Sequence, residues 1–128
     1  MAFAIGVGIG ALMLTLFARL PAKPLADQGF LALVAMVSIY LGAELVTGSL
    51  TSILIETAIA TVAIIAAKLA MVRWLPAIGI AIVLHGCYDA FVGPHTGVAE
   101  WYPPLCAGFD FFVGAALVWL LMRKSQQA

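Results

Sequence analysis

The chain has 128 residues, of which 65% are hydrophobic and 9% charged, whereas soluble domains carry about 25% charged residues. Its formal net charge is zero, so it lacks the basic surplus of nucleic-acid-binding proteins. Its two cysteines are too few for a disulfide scaffold or a four-cysteine metal site. The composition is that of an integral membrane protein, and the length allows one bundle without a second domain.

Apolar runs predict five transmembrane helices, which is an all-α, polytopic membrane bundle forming a single domain. The first run contains Gly6 and Gly10, whose spacing predicts a close contact between helices. Pro21 and Pro24 are expected to end that helix, and a polar loop over residues 26–29 is expected to lead to the second. The predicted spans are about 2–20, 30–46, 53–71, 76–92 and 104–122.

The basic residues predict the orientation of this bundle. They follow the first, third and fifth spans, so in a five-span chain they all lie on one side of the membrane. The positive-inside rule then places the N-terminus outside and the C-terminus in the cytoplasm. We therefore expect a multi-pass protein of the cell inner membrane. The residues concerned are Arg19, Lys23, Lys68, Arg73, Arg123 and Lys124.

Five ionisable residues are predicted to lie in the outer half of the membrane. His85 and Asp89 are four residues apart and share one helical face. Glu44, Glu56 and Asp110 come from three other helices at a similar depth. Such groups cost about 2.5–3.5 kcal/mol each in hydrocarbon, so they should face the bundle interior and pair with one another. Carboxylates this close cannot all be ionised, and a histidine beside one is a better base.

This combination of groups predicts a catalytic acid–base site. The expected base is His85, oriented by Asp89, and the expected protonated acid is Asp110 or Glu56; Glu44 completes the catalytic set. The ligand is expected between the fourth and fifth helices, under a loop over residues 93–103. The predicted substrate-binding residues are Tyr40, Tyr88, Cys106 and Trp101.

Several of these residues also have a structural interpretation. Tyr40 and Glu44 form a pair spaced for an interhelical hydrogen bond. Glu56 lies near a helix N-terminus, where a carboxylate complements the dipole. Asp89 is close enough to the headgroups to be solvated. Trp101 is typical of the aromatic belt at a membrane surface.

No cofactor is required by the sequence, but a divalent metal is an open alternative. One histidine and up to four carboxylates resemble the ligand set of a non-haem iron, manganese or zinc site. Against this, the spans contain only one histidine, so no residue is assigned as a metal ligand. Cys87 and Cys106 are expected on diverging faces, which predicts free thiols rather than a disulfide.

The C-terminal half contains a Leu-His-x-x-x-Asp segment ending at Asp89 and a Cys-x-x-x-Asp segment from Cys106 to Asp110. These motifs resemble a poorly characterised family of small five-helix bacterial and fungal membrane proteins, over residues 56–119. The resemblance implies the same site residues and no particular reaction. The architecture is also similar to small membrane-embedded isomerases and terpene cyclases, by analogy of fold alone.

These observations predict a membrane-embedded enzyme that performs acid–base chemistry on a lipophilic small molecule, isomerase- or cyclase-like. Its expected partners are the lipid bilayer and that molecule, with no nucleic acid, and a homo-oligomer is open. The alternatives are a small proton- or ion-coupled transporter, a metal-binding membrane protein and a structural subunit. The inner half of the predicted bundle lacks polar residues to continue a transport pathway.

Overall fold

A computed structural model describes residues 1–126 of the chain, and nearly all of this range is α-helical. The described residues form five α-helices with short connections and no strand. One turn of 3-10 helix, Gly93–His95, lies in the longest connection. The helices are α1 (Ala2–Phe17), α2 (Ala22–Thr47), α3 (Leu50–Arg73), α4 (Ala77–Phe91) and α5 (Tyr102–Gln126).

The polar loop predicted over residues 26–29 is helical, so that prediction is wrong. The second helix begins at Ala22, directly after Pro21. Pro24 lies within its first turn, where a backbone N–H has no intrahelical acceptor and proline is tolerated. Lys23 and Asp27, one turn apart in this helix, form an exposed ion pair at 2.6 Å. Pro21 therefore directly precedes the first residue of α2, and no loop lies between this proline and the helix.

The other boundaries lie close to the prediction. The fifth helix begins at Tyr102, two residues before the predicted start, with Pro103 in its first turn. The third helix begins after Ser49, whose Oγ accepts a hydrogen bond from the backbone N–H of Ser52 at 3.2 Å. This is an N-terminal cap.

Three of the helices are long and apolar enough to cross a membrane: α2, α3 and α5, with 26, 24 and 25 residues. The other two are shorter, with 16 residues in α1 and 15 in α4. At 1.5 Å per residue, these two helices rise about 24 and 22 Å, against about 30 Å for a hydrocarbon core. The structure thus supports a membrane protein with three helices of spanning length.

The first and fifth helices run parallel and in close contact. Gly6 lies against Leu105, and Gly10 lies against Val113. A Cβ at Gly6 would collide with the carbonyl oxygen of Leu105, and one at Gly10 would lie 2.8 Å from a methyl group of Val113. The predicted contact through Gly6 and Gly10 is confirmed, because only small residues let two helix backbones approach this closely.

The fourth helix runs antiparallel to the fifth and packs equally closely. A Cβ at Gly79 would lie 2.5 Å from the carbonyl oxygen of Gly114, and one at Gly114 would lie 2.7 Å from that of Gly79. Further along α4, Gly86 lies against Asp110. The fifth helix is therefore held between α1 and α4, with no space for a ligand on its α4 side at Gly79.

Charge is separated along the bundle because consecutive helices reverse direction. The lysines and arginines lie toward the end formed by the C-termini of α1, α3 and α5 and the N-terminus of α2. The buried ionisable residues lie toward the opposite end. They are Glu44, Glu56, His85, Asp89 and Asp110, each at most 8% exposed. The apolar core occupies the space between the two ends, around Leu33, Ile78, Ile82 and Leu117.

Candidate functional site

The polar cluster is centred where α4 and α5 meet. His85 and Asp89 project from successive turns of α4, and Asp110 projects from α5. The Nδ1 atom of His85 lies 2.8 Å from Oδ2 of Asp110 and 3.4 Å from Oδ2 of Asp89. Gly86 permits this approach, since a Cβ there would lie 2.9 Å from the Cβ of Asp110. The structure thus brings together the two predicted carboxylates and the predicted base.

With Asp110 ionised, these contacts define the tautomer of His85. An ionised carboxylate only accepts hydrogen bonds, so Nδ1–H donates to Asp110. The other ring nitrogen, Nε2, is then an acceptor in the neutral ring. Nε2 is buried and has no hydrogen-bond partner among residues 1–126. The histidine is therefore oriented through one nitrogen and unengaged at the other.

Tyr40 joins the cluster from α2. Its hydroxyl donates to Oδ1 of Asp89 at 2.5 Å, and the two side chains are 1% and 0% exposed. The connection between α4 and α5 passes directly above, because a Cβ at Gly93 would lie 2.7 Å from the hydroxyl oxygen of Tyr40. The ring of Tyr102 contacts that of Tyr40 edge-on at 5.8 Å. The predicted cover over this end of the site thus has a structural counterpart at Gly93.

A second pair extends the cluster to α3. The hydroxyl of Tyr88 donates to Oε1 of Glu56, which joins α4 to α3. The ring of Tyr88 stacks on that of His85 at 5.9 Å with an interplanar angle of 27°. Glu56 therefore has a specific partner, which goes beyond the dipole interaction considered from the sequence. Four helices supply the complete polar cluster.

A cavity of about 520 Å³ adjoins this cluster and is lined by α2, α3 and α4. This volume is typical of small-molecule sites. Tyr40, Glu56, His85 and Tyr88 line its polar end, whereas Asp89 and Asp110 lie behind His85. The cavity is not between α4 and α5, where the ligand was expected, because glycine packing closes that interface. The apolar walls are formed by Leu33, Val37, Ile59, Ala60, Ala63, Ala66, Ala67, Ala70, Ala77, Ile80, Ala81 and Leu84.

Two carboxylate oxygens of the cluster also lack partners. Oδ2 of Asp89 and Oδ1 of Asp110 are buried without a hydrogen bond from any described residue. Leaving such a group unsatisfied costs about 1–3 kcal/mol, so an additional donor or a cation is expected there. His85, Asp89 and Asp110 each offer one potential ligand atom, a ring nitrogen or a carboxylate oxygen. These three atoms lie within 4.8 Å of one another. The donor set of one imidazole and two carboxylates suits zinc, manganese or iron.

Three predicted site residues lie elsewhere. Glu44 is 7% exposed, and its Oε1 accepts from the backbone N–H of Gly97 at 3.0 Å, so it holds the connecting loop. Trp101 is 60% exposed and contacts the ring of Tyr102. Cys106 is buried on α5, a free thiol like Cys87. None of the three predicted residues is among those that line the cavity.

The alanine wall of α3 was not predicted from the sequence. Ala60, Ala63, Ala67 and Ala70 recur at intervals of three or four, so they share one helical face with Glu56. This periodicity of small residues was the available signal. It was not sufficient alone, because small residues also mark close helix packing.

Comparison of the chain with models of protein families, with curated proteins and with solved structures found no match. The resemblance to small five-helix membrane proteins therefore stays a prediction, which rests on the two motifs around Asp89 and Asp110.

Proposed function

We propose that the chain crosses the bilayer five times, with its N-terminus outside and its C-terminus in the cytoplasm of a bacterial-type inner membrane. The alternating helix directions and the collection of all six lysines and arginines at one end support this topology. The short α1 and α4 require local thinning of the bilayer, since their polar ends must reach the headgroups.

Cysteine labelling tests this orientation. In a background of Cys87→Ala and Cys106→Ala, Thr96→Cys should react with a membrane-impermeant maleimide in intact cells. Ser125→Cys should react only after lysis. The opposite pattern, or labelling of both sites in intact cells, would refute the topology.

We propose that the protein is a membrane-embedded enzyme that moves a proton on a lipophilic substrate, as an isomerase or cyclase does. One observation carries the proposal: a histidine held by two buried aspartates faces the polar end of a large apolar cavity. An apolar cavity with a few convergent polar groups is typical of an active site. A base oriented by a second group is the arrangement that acid–base catalysis requires.

The contacts support different roles for the carboxylates. Asp110 and Asp89 lie behind His85 and contact its Nδ1, so they orient the imidazole. Glu56 lines the cavity with Tyr88, which makes it the better-placed acid of the two that the sequence suggested. In an isomerisation, Nε2 of His85 removes a proton from one substrate carbon, and the released electron pair shifts a neighbouring double bond. Glu56 protonates the carbon at the far end, and transfer of the proton gained by His85 to the Glu56 carboxylate restores the enzyme.

Deuterium incorporation tests this chemistry whatever the lipophilic substrate is. Proteoliposomes made with a lipid extract from the expressing cells are incubated in D₂O, and lipids are analysed by mass spectrometry. The wild type should place carbon-bound deuterium in one lipid class, because its acid and base exchange with solvent. His85→Gln should abolish this labelling. The matched control is His95→Gln in the loop, which should retain it. Equal labelling by wild type and His85→Gln would overturn the assignment.

A metal-binding membrane protein is the second candidate, supported by the unpartnered oxygens of Asp89 and Asp110. An ion there would replace the proton on Nδ1 of His85. Elemental analysis of purified protein should then find one zinc, manganese or iron per chain, lost in Asp110→Asn and kept in Glu44→Gln. Metal content that is unaffected by Asp110→Asn would contradict this candidate. The transporter alternative has no comparable support, since the cavity walls away from the polar end are apolar.

A further inference from the structure

The cavity is elongated. Its α3 wall extends from Glu56 to Ala70, a rise of about 21 Å along the helix. A sphere of 520 Å³ would be about 10 Å across, roughly half that length. Along this wall, alanines leave space that larger side chains would fill. The shape is that of a groove for one extended chain, with the polar groups at one end.

The long side of the groove is bordered by exposed apolar residues. Ile59, Ile80 and Leu84 line it and are 40%, 42% and 63% exposed. In the proposed membrane orientation, this border faces lipid hydrocarbon rather than water. A ligand can therefore enter sideways from the bilayer, which favours a membrane-dissolved molecule over a water-soluble one.

The charges at the polar end exclude an anionic head group. Residues 1–126 contribute no lysine or arginine to the cavity lining, and the basic residues lie toward the opposite end of the bundle. A phosphate or carboxylate placed there would be desolvated in an apolar cavity, without a lysine or arginine to compensate its charge.

The hydrogen bonds at this end further restrict the head group. The hydroxyl protons of Tyr40 and Tyr88 are already donated to Asp89 and Glu56. Among the residues that line this end, the buried atom without a hydrogen-bond partner is Nε2 of His85, which is an acceptor in the neutral ring. A complementary head group must donate hydrogen, as a hydroxyl or an ammonium group does.

We propose that the groove binds a single-chain lipid whose head group donates hydrogen bonds and carries no negative charge, such as a long-chain alcohol or amine. The head contacts His85 and Glu56, and the tail lies along the alanine wall toward Ala70. This inference rests on the proposed function for the identity of the site, and it names the substrate class that the site accepts.

Competition binding tests the head group. Purified protein in non-ionic detergent is equilibrated with radiolabelled hexadecan-1-ol, and unlabelled compounds of the same tail are added. Hexadecan-1-ol and hexadecylamine should displace the label, and their relative potency distinguishes the neutral from the cationic head. Methyl hexadecyl ether and hexadecanoate should be at least about tenfold weaker, since one lacks the donor and the other is anionic. Failure of hexadecan-1-ol to bind, or equal displacement by hexadecanoate, would overturn the proposal.

A blocking substitution tests the path of the tail. Ala63 lies about 10 Å along α3 from Glu56, so Ala63→Phe should abolish binding of hexadecan-1-ol while octan-1-ol still binds. If the phenylalanine variant does not elute as a folded species, Ala63→Leu, which adds a smaller side chain, replaces it in the same test. The matched control is Ala58→Phe on the exposed face of the same helix, which should bind both alcohols. Unchanged chain-length preference in a folded Ala63 variant would refute this path.

These experiments distinguish a failure of the proposed lipid binding from a failure of the proposed catalysis. If deuterium labelling is absent but the alcohol series binds as expected, the site is a lipid-binding site without the proposed chemistry. If labelling depends on His85 but hexadecan-1-ol does not bind, the proposed catalysis is supported and the proposed class of ligand is wrong.

Discussion

The hydrogen bond between Tyr40 and Asp89 gives the sharpest test of the buried cluster. Tyr40→Phe removes one hydroxyl and leaves the ring contacts in place. The bond is 2.5 Å long, and both residues are at most 1% exposed, so water has no access to replace it. A hydrogen bond to a charged group contributes about 1.5–3 kcal/mol. We expect the unfolding free energy to fall by about 2–3 kcal/mol, or roughly 30- to 150-fold in the equilibrium constant.

A double-mutant cycle separates this bond from other effects of the substitution. The unfolding free energies of Tyr40→Phe, Asp89→Ala and the double variant are measured by titrating dodecyl sulfate into non-ionic micelles and following circular dichroism. Because each single substitution removes the same bond, the double variant should lose about 1–2 kcal/mol less than the sum of the two. Additivity within about 0.5 kcal/mol would show that the two side chains do not interact as the structure places them.

Two further predictions concern the packing around the site. Gly79→Ala should lower the unfolding free energy by about 1–3 kcal/mol, because its Cβ would lie 2.5 Å from the backbone of α5. Gly42→Ala is the control, since a Cβ at that position would have no neighbouring atom within 4 Å. This control should be neutral or stabilising by up to about 1 kcal/mol. Equal destabilisation by the two substitutions would contradict the close helix contact. Glu44→Ala should accelerate amide hydrogen exchange at Gly97 by releasing its acceptor, whereas Glu44→Gln keeps an acceptor oxygen and should exchange more slowly than the alanine variant. Unchanged exchange in Glu44→Ala would show that this bond does not hold the loop.

Hydropathy and charge predicted the helical segments well because both are local properties of the chain. A run of apolar residues must form a helix in lipid whatever surrounds it, since its backbone groups have no other partners there. The closely spaced Gly6 and Gly10 likewise predicted a helix contact that the structure contains. The boundary at Pro24 was wrong because proline has opposite effects inside a helix and in its first turn, and hydropathy alone does not distinguish the two positions.

The buried ionisable residues and the contact between His85 and Asp89 were found from the sequence, but the other partners were not. His85 and Asp89 were paired through helical spacing, whereas the closer partner of His85 is Asp110 on another helix. Glu44 has the same spacing from Tyr40 as Asp89 has from His85, yet it binds the loop at Gly97. Spacing defines which side chains share a face. It does not define which neighbouring helix that face meets.

The sequence by itself determined the class of protein, the positions of its polar residues and the separation of basic residues from buried acids. Only the tertiary structure decided where the cavity lies. Glycines bring α4 against α5 and close the interface in which a ligand was expected, while the alanines of α3 border open space beside α4. Both residue types are small, and the distance between two helix axes depends on how all their neighbours pack. That distance placed the groove against α3, with His85 at its polar end and Asp110 behind it.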